Sequence, residues 1–464
     1  MFNKKLSVFF VAIALIIAFL APVLYTGYSS IKSADSEFAA QKYADAVNHY
    51  QKAVRLLPWR TDLWEKAGIA AYANKDYPTA ISYLNRPTKL TEQGWVALGN
   101  SYSNTGELSS ALEAYQDGLH IYESASLYAG LAYIYRSQKD WTAERDALQN
   151  QLHLDGSDAY SHYRLGLLQS FLSPERALSE LNLASSLDPE IDSAVQTLRA
   201  ALNLSSTQID ASEQMLTIGR ALGLVQEWDL SFAAFNKAIE LDEKNAEAWA
   251  WLGEAKQQLG QDGSVELDRA LTLDHTSVIV RALRGLYWNR QEKYEQMRAE
   301  YALAAEFDPT NPAWQASLGD AYLKLGDLAS ALIAYQKATE LSPTASVYWR
   351  LLAVFCAENG VHVEDIGLPA AQNAVQLAPN DPFALDALGF SYFSSGRYAN
   401  AEQTLQQVIT AYPDHFPAYI HLAMTHLAQG NRAAAFAQLT HVRDADVGGA
   451  YSAQADEMLK QYFP

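Results

Sequence analysis

The chain has 464 residues, 49% of them hydrophobic, and a formal net charge of −19. That length holds two or three ordinary domains or one long repeat array. No basic stripe with interleaved aromatics offsets the acidic balance, which argues against nucleic-acid binding, and a single Cys356 excludes an intrachain disulfide and a Cys-based zinc site.

Residues 1–5 read as a short cytoplasmic tail carrying Lys4 and Lys5. Leu6 to Tyr25 is a run of 20 residues without charge, thirteen of them Leu, Ile, Val or Phe. As a helix it spans about 30 Å, the thickness of bilayer hydrocarbon. Its insertion is favourable by roughly 5 kcal/mol. A cleaved signal peptide is the rival reading. It needs a small-x-small site, whereas Ala21 is preceded two positions back by Phe19 and Ala34 by Lys32. We therefore expect an uncleaved transmembrane signal-anchor helix over 6–26. Lys4 and Lys5 lie before the run, and Lys32 stands near Asp35 and Glu37 after it. That bias keeps the N-terminus inside and the rest of the chain extracytoplasmic, as a single-pass protein of a bacterial cytoplasmic membrane.

From residue 27 a helix signature recurs, Ala-x3-Tyr-x2-Ala-x4-Pro. It appears as Ala46/Tyr50/Ala53/Pro58 and Ala331/Tyr335/Ala338/Pro343, with looser copies at Ala177/Leu181/Ala184/Pro189, Met297/Tyr301/Ala304/Pro309 and Ala401/Leu405/Val408/Pro413. Pro309, Pro343, Pro379 and Pro413 are separated by 34, 36 and 34 residues. A period in this range marks stacked helical hairpins. Each hairpin also has a first helix, as in Trp95/Leu98/Gly99/Tyr102, Gln315/Leu318/Gly319/Tyr322 and Leu385/Leu388/Gly389/Tyr392. The Gly sits where the two helices cross closely, and the Tyr fills the wider gap to the next hairpin. Gly106, Gly326, Gly396 and Gly430 fall between the helices, where a left-handed residue closes the first of them.

The register breaks once. Pro189 and Glu243 hold the same repeat position but lie 54 residues apart. Over 191–211 the apolar residues Val195, Leu198, Ala201 and Leu202 keep helical spacing, then Ser205-Ser206-Thr207 signals a loop. This is expected to be an extra helix and a joint, either between two sub-arrays over 27–190 and 212–447 or within one decorated array. Residues 448–464 would close the stack with a capping helix.

The pattern resembles the tetratricopeptide repeat over nearly all of residues 27 to 447. The resemblance implies an all-α, right-handed superhelical solenoid of about twelve helix-turn-helix repeats, preceded by one transmembrane helix. In the family's register the units begin near Gly27, Thr61, Glu92, Ala125, Ala159, Ser212, Ala246, Val278, Pro312, Ser346, Pro382 and Phe416. Glu144 departs from the pattern, standing at a small-residue position of the fourth unit. The tenth unit carries an insertion around Val361 to Asp365.

Motifs for chemistry are missing. There is no phosphate-binding Gly-rich loop, no His-Glu-x-x-His and no nucleophile elbow. His421 and His426 are five residues apart, which does not chelate a metal from one helix face. We expect no enzyme activity, no cofactor and no metal. What remains is the groove that the first helices line in this family. Carried over position by position, it gives Asn100 and Asn104, then Tyr133 and Arg136, then Tyr160, Tyr163 and Arg164 as partner-binding candidates. Later units give Trp251, Asp386, Phe390 and Phe393 among others. Asn pairs backbone amides, Tyr stacks and Arg forks onto carboxylates, a set that suits proteins or extended peptides, acidic ones included. The bland reading is that Arg136 and Arg164 pair with local acids. The expected function is a membrane-anchored scaffold for protein–protein interaction. The alternatives are an envelope-assembly or polysaccharide-export accessory binding saccharide chains, and a non-catalytic subunit of a membrane enzyme.

Overall fold

The computed structural model describes residues 2–464, apart from most side chains before Ala18. Among the described residues every regular element is helical. The chain divides into two compact units, 1–234 and 235–464. Each is a stack of helix pairs joined by short turns, and the division falls inside the helix Trp228–Leu241. The extra helix after the register break runs from Asp192 to Ser205, behind a 3-10 turn at Pro189–Ile191, and lies within the first unit.

The first helices of the pairs begin where the repeat register puts them: at Glu92, Ala125 and Ala159 in the first unit, and at Ala246, Val278, Pro312, Ser346, Pro382 and Phe416 in the second. Side chains fix several of these starts. Thr91, Ser124, Asp158, Asn245, Ser277, Asn311 and Asp381 each accept a backbone N–H from the first turn, satisfying a donor with no partner inside the helix. Most turns within the pairs hold a left-handed residue. Gly106, Gly326, Gly396 and Gly430 have φ between 75° and 83°, whereas Lys75, Lys139, Gln226 and Glu292 adopt φ of 55° to 65° at the corresponding places.

Packing explains the Leu-Gly step. A Cβ on Gly99 would lie 2.3 Å from the Tyr115 ring, and one on Gly130 would lie 2.4 Å from it. One aromatic ring is thus clasped between two first helices, Glu92–Thr105 and Ala125–Gln138, at a spacing only glycine allows. In the second unit the Tyr335 ring approaches Gly319 in the same way. The insertion of the tenth unit forms a π-helical turn, Val363–Gly367, leading into Leu368–Leu377. The last helix, Ala450–Tyr462, buries Ala455 and Leu459 against the cluster around Leu439 and Val442.

The first repeat's opening helix is not a separate element. A single helix runs from Phe2 to Ala39 and contains Pro22. Its later part packs Leu24, Ile31, Ala34 and Phe38 against the core that includes Ala46, Val47 and Tyr50, and Gly27 leaves room for Leu57. The expected span over 6–26 is therefore the front of a longer helix, and many of its side chains lie outside the described residues. Among the described residues, no helix is long and apolar enough to cross a membrane.

Candidate partner-binding groove

Three consecutive first helices of the first unit, Glu92–Thr105, Ala125–Gln138 and Ala159–Leu172, carry all seven candidate residues. Between the first two lies a cleft of about 590 Å³ lined by Tyr72, Asn100, Asn104, Tyr115 and Tyr133. Between the second and third lies one of about 180 Å³ lined by Tyr133, Arg136, Gln151, Tyr160 and Arg164. Both clefts include Ala129 and Tyr133, so they join into one groove across three repeats. Six of the seven candidates line it, and Tyr163 does not.

The floor of the groove is held by hydrogen bonds. The Asn100 amide donates to the Tyr72 hydroxyl at 3.0 Å, and its carbonyl accepts from the Tyr115 hydroxyl at 2.7 Å. Burial pushes the Tyr115 phenol up to about 12, so it stays a donor at any physiological pH. Asn104 is exposed and donates to the Asn100 backbone carbonyl at 2.8 Å. The walls are aromatic and open, with Tyr133 and Tyr160 each 59% exposed. Arg136 bonds the Tyr160 hydroxyl through its guanidinium and has no carboxylate partner among the described residues.

Arg164 is placed differently. It is 3% exposed, and its guanidinium grips Glu144 with Nε at 2.6 Å and Nη2 at 3.0 Å, while Nη1 reaches Glu227 at 3.1 Å. Burial pulls its pKa down, but the bonds and charge of Glu144, and then the charge of Glu227, outweigh this and hold it above its ordinary value. Arg164 thus pairs with local acids, while Arg136 does not. Tyr163 is half-buried, and burial with the nearby Glu227 charge lifts its phenol to about 12. The misfit residue Glu144 is 1% exposed and exists in partnership with Arg164.

The register did not bring out Tyr72, Tyr115 or Gln151 as groove residues. A signal for Tyr115 was present. The signature Tyr of the second helix sends its hydroxyl to the residue 15 positions earlier in three pairs: Tyr50 to Asp35 at 2.5 Å, Tyr115 to Asn100 at 2.7 Å, and Tyr335 to Asp320. That spacing crosses from the second helix of a pair back to the exposed face of the first.

In the second unit, Asp386, Phe390 and Phe393 lie together. Asp386 meets His421 Nδ1 at 2.8 Å and His415 Nε2 at 3.6 Å, and the Phe390 ring stacks on His421 with centroids 4.1 Å apart. Among the described residues no group of three or more His, Cys, Asp or Glu side chains is arranged to hold a metal ion. Trp251 stacks on Phe235 with centroids 6.1 Å apart.

Models of the tetratricopeptide repeat match residues 31–89, 312–345 and 392–456. These three stretches match tetratricopeptide repeats. It is 30% identical over 247 residues to tetratricopeptide repeat protein 37 of Xenopus laevis, a match covering 49% of this chain and 14% of that protein. It is 27% identical over 260 residues to human superkiller complex protein 3, covering 53% of this chain and 15% of that one. With the anaphase-promoting complex subunit CDC16 of Saccharomyces cerevisiae the identity is 21% over 375 residues, covering 76% and 44%. The chain thus spans less than half the length of these relatives. Among solved structures it aligns with yeast Tom70 at 14% identity and a TM-score of 0.42, covering 94% of this chain and 95% of that chain. The corresponding values for the Cut9–Hcn1 hetero-tetramer are 14% and 0.39, covering 97% and 99%.

Proposed function

We propose that this protein is a non-catalytic, membrane-anchored scaffold that recruits an extended peptide segment of a partner protein through the groove of its first unit. The observation that carries the reading is the joining of two clefts at Tyr133, lined by six of the seven residues that the repeat register assigns to a partner face. Exposed Asn104 presents its amide to a peptide backbone, above the floor that Asn100 holds with Tyr72 and Tyr115. Tyr133 and Tyr160 offer exposed rings at low entropic cost. Arg136 is free to fork onto a carboxylate of the partner. Arg164 and Glu144 take no direct part; their pairing stiffens the wall behind Tyr160. Two of the similar proteins, by their names, belong to multi-protein complexes, in keeping with a scaffold.

The anchor reading rests on the uncharged run Leu6–Tyr25. It places the protein once through a bacterial cytoplasmic membrane, with its N-terminus inside and the repeats extracytoplasmic. The protein should remain in the membrane pellet after a carbonate wash. A mature N-terminus between Pro22 and Asp35 would overturn this.

A photo-crosslinker replacing Tyr133 in the full chain, followed by purification from detergent-solubilised membranes and mass spectrometry, tests the groove. We expect a protein adduct whose yield falls when Arg136→Ala is added. Adducts with glycans alone would instead favour the saccharide-binding reading, since Tyr133 and Tyr160 also suit sugar faces. Adducts that are unaffected by Arg136→Ala would remove this groove as the recruitment site.

A further inference from the structure

The hairpin of Phe2–Ala39 and Tyr43–Leu56 holds a second cleft, far from the groove in sequence, of about 530 Å³. One wall is Pro22, Val23 and Thr26, the end of the uncharged run; the other includes Asn48, Lys52 and Arg55. Lys52 and Arg55 are exposed, and neither makes an ion pair among the described residues. By contrast Arg60, a few residues on, is held by Asp62 at 2.7 Å. The nearest acids on the two helices, Asp35 and Asp45, lie about 10 Å or more back along the axes at 1.5 Å per residue. Tyr25, Tyr28 and Trp59 are exposed around the same end of the hairpin, the aromatic types that settle at a membrane–water interface. The continuous helix fixes these elements together, since the helix that leaves the core beside Leu57 is the one that carries the uncharged run.

We infer that this cleft seats the headgroup of an anionic phospholipid from the bilayer that the first helix enters, with Lys52 and Arg55 on the phosphate, Asn48 donating beside them and the acyl chains lying along Val23 and the apolar run. The inference rests on the anchor reading. It gives local attraction to a chain whose net charge of −19 would otherwise hold it off an anionic surface, and it orients the hairpin on the membrane. Charge complementarity selects the occupant: two unpaired cations stand at the level where the apolar wall ends.

The test uses the full chain reconstituted into vesicles of equal phosphatidylcholine and phosphatidylglycerol. Flotation reads the anchor, and native mass spectrometry of the extracted protein reads which lipid stays bound. Wild type should float and retain phosphatidylglycerol in preference, by about fivefold per cation or roughly thirtyfold for both. The Lys52→Gln, Arg55→Gln variant should float equally, keep its thermal midpoint and lose the preference. A protein that floats without the preference, or a double variant that keeps it, overturns the headgroup site and leaves the anchor standing. Release of the lipid by excess inorganic phosphate would show a free-anion site, and also overturns it. A chain that does not float removes the anchor and the proposal with it.

Discussion

Arg164 and Glu144 form a buried, two-pronged ion pair between the helices Ala159–Leu172 and Trp141–Leu154, with contacts of 2.6 and 3.0 Å. In the repeat pattern a small residue belongs at position 144, so the pattern alone ranks Glu144→Ala as an improvement. The structure gives the opposite sign. Removing Glu144 leaves a guanidinium inside the stack with only Glu227 attached, which should cost about 3 kcal/mol, the low end for a broken buried pair. Hydrogen exchange over residues 125–187 reads this directly. The Glu144→Met, Arg164→Met double variant should recover most of the loss, because no fully buried charge remains and the carboxylate of Glu227 is partly open to water. A Glu144→Ala protein as protected as wild type would refute the pairing as a structural element.

Among the described residues Arg136 differs from Arg164 in having the Tyr160 hydroxyl, and no carboxylate, as hydrogen-bond partner. Arg136→Ala should therefore leave the thermal midpoint within about 0.5 kcal/mol of wild type in stability terms, as for surface substitutions. Once a partner peptide is in hand, Tyr133→Ala should weaken it by about 2 kcal/mol, roughly thirtyfold. The loss from Arg136→Ala should be smaller and should shrink with added salt. Titration calorimetry at low and high salt checks both.

The left-handed turns give a stability prediction free of function. Glu292 adopts φ 55° where Gly326 and Gly430 adopt 76° and 81° in other repeats. A side chain there costs about 1–2 kcal/mol, and glycine returns about 0.5–1 kcal/mol of that to unfolded-chain entropy. Glu292→Gly should raise stability by about 0.5–1 kcal/mol, visible as a higher thermal midpoint. The converse change, Gly326→Ala, should lower it.

Asp386 supplies a pH dependence. Burial raises its pKa, but the positive charge of His421 and the bonds and charge of His415 outweigh this and hold it below the ordinary 3.8. A carboxylate depressed in the folded state contributes stability above its unfolded pKa and loses it as pH falls through the folded one. That contribution should be in place just above pH 3.8 and fade as pH falls below it. The neighbouring acid, Glu358, moves the other way, raised by burial against the His421 charge. Asp386→Asn should lower the thermal midpoint most at about pH 5, between the ordinary carboxylate and imidazole ranges, and converge with wild type in strong acid. A gap that stays constant with pH would exclude the charge interaction.

The sequence determined the helical period, the first-helix starts in most repeats and the identity of the close-crossing glycines. These are local quantities. A cap side chain binds its own first turn, and a Gly-Tyr pair meets within one hairpin, so each is written in a few tens of residues and repeated. The faces could be carried over for the same reason, which is why six of seven candidates line one groove. What the tertiary structure alone decided is which polar residues are already engaged. The repeat register assigns both Arg136 and Arg164 to the groove face, yet only Arg164 meets acids from elsewhere in the chain, Glu144 at 20 residues and Glu227 at 63. Likewise Lys52 and Arg55 read as ordinary surface cations until the hairpin folds them beside Pro22 and Val23. A charge is defined by what surrounds it in space, and pairings across that many residues leave no periodic trace in the chain.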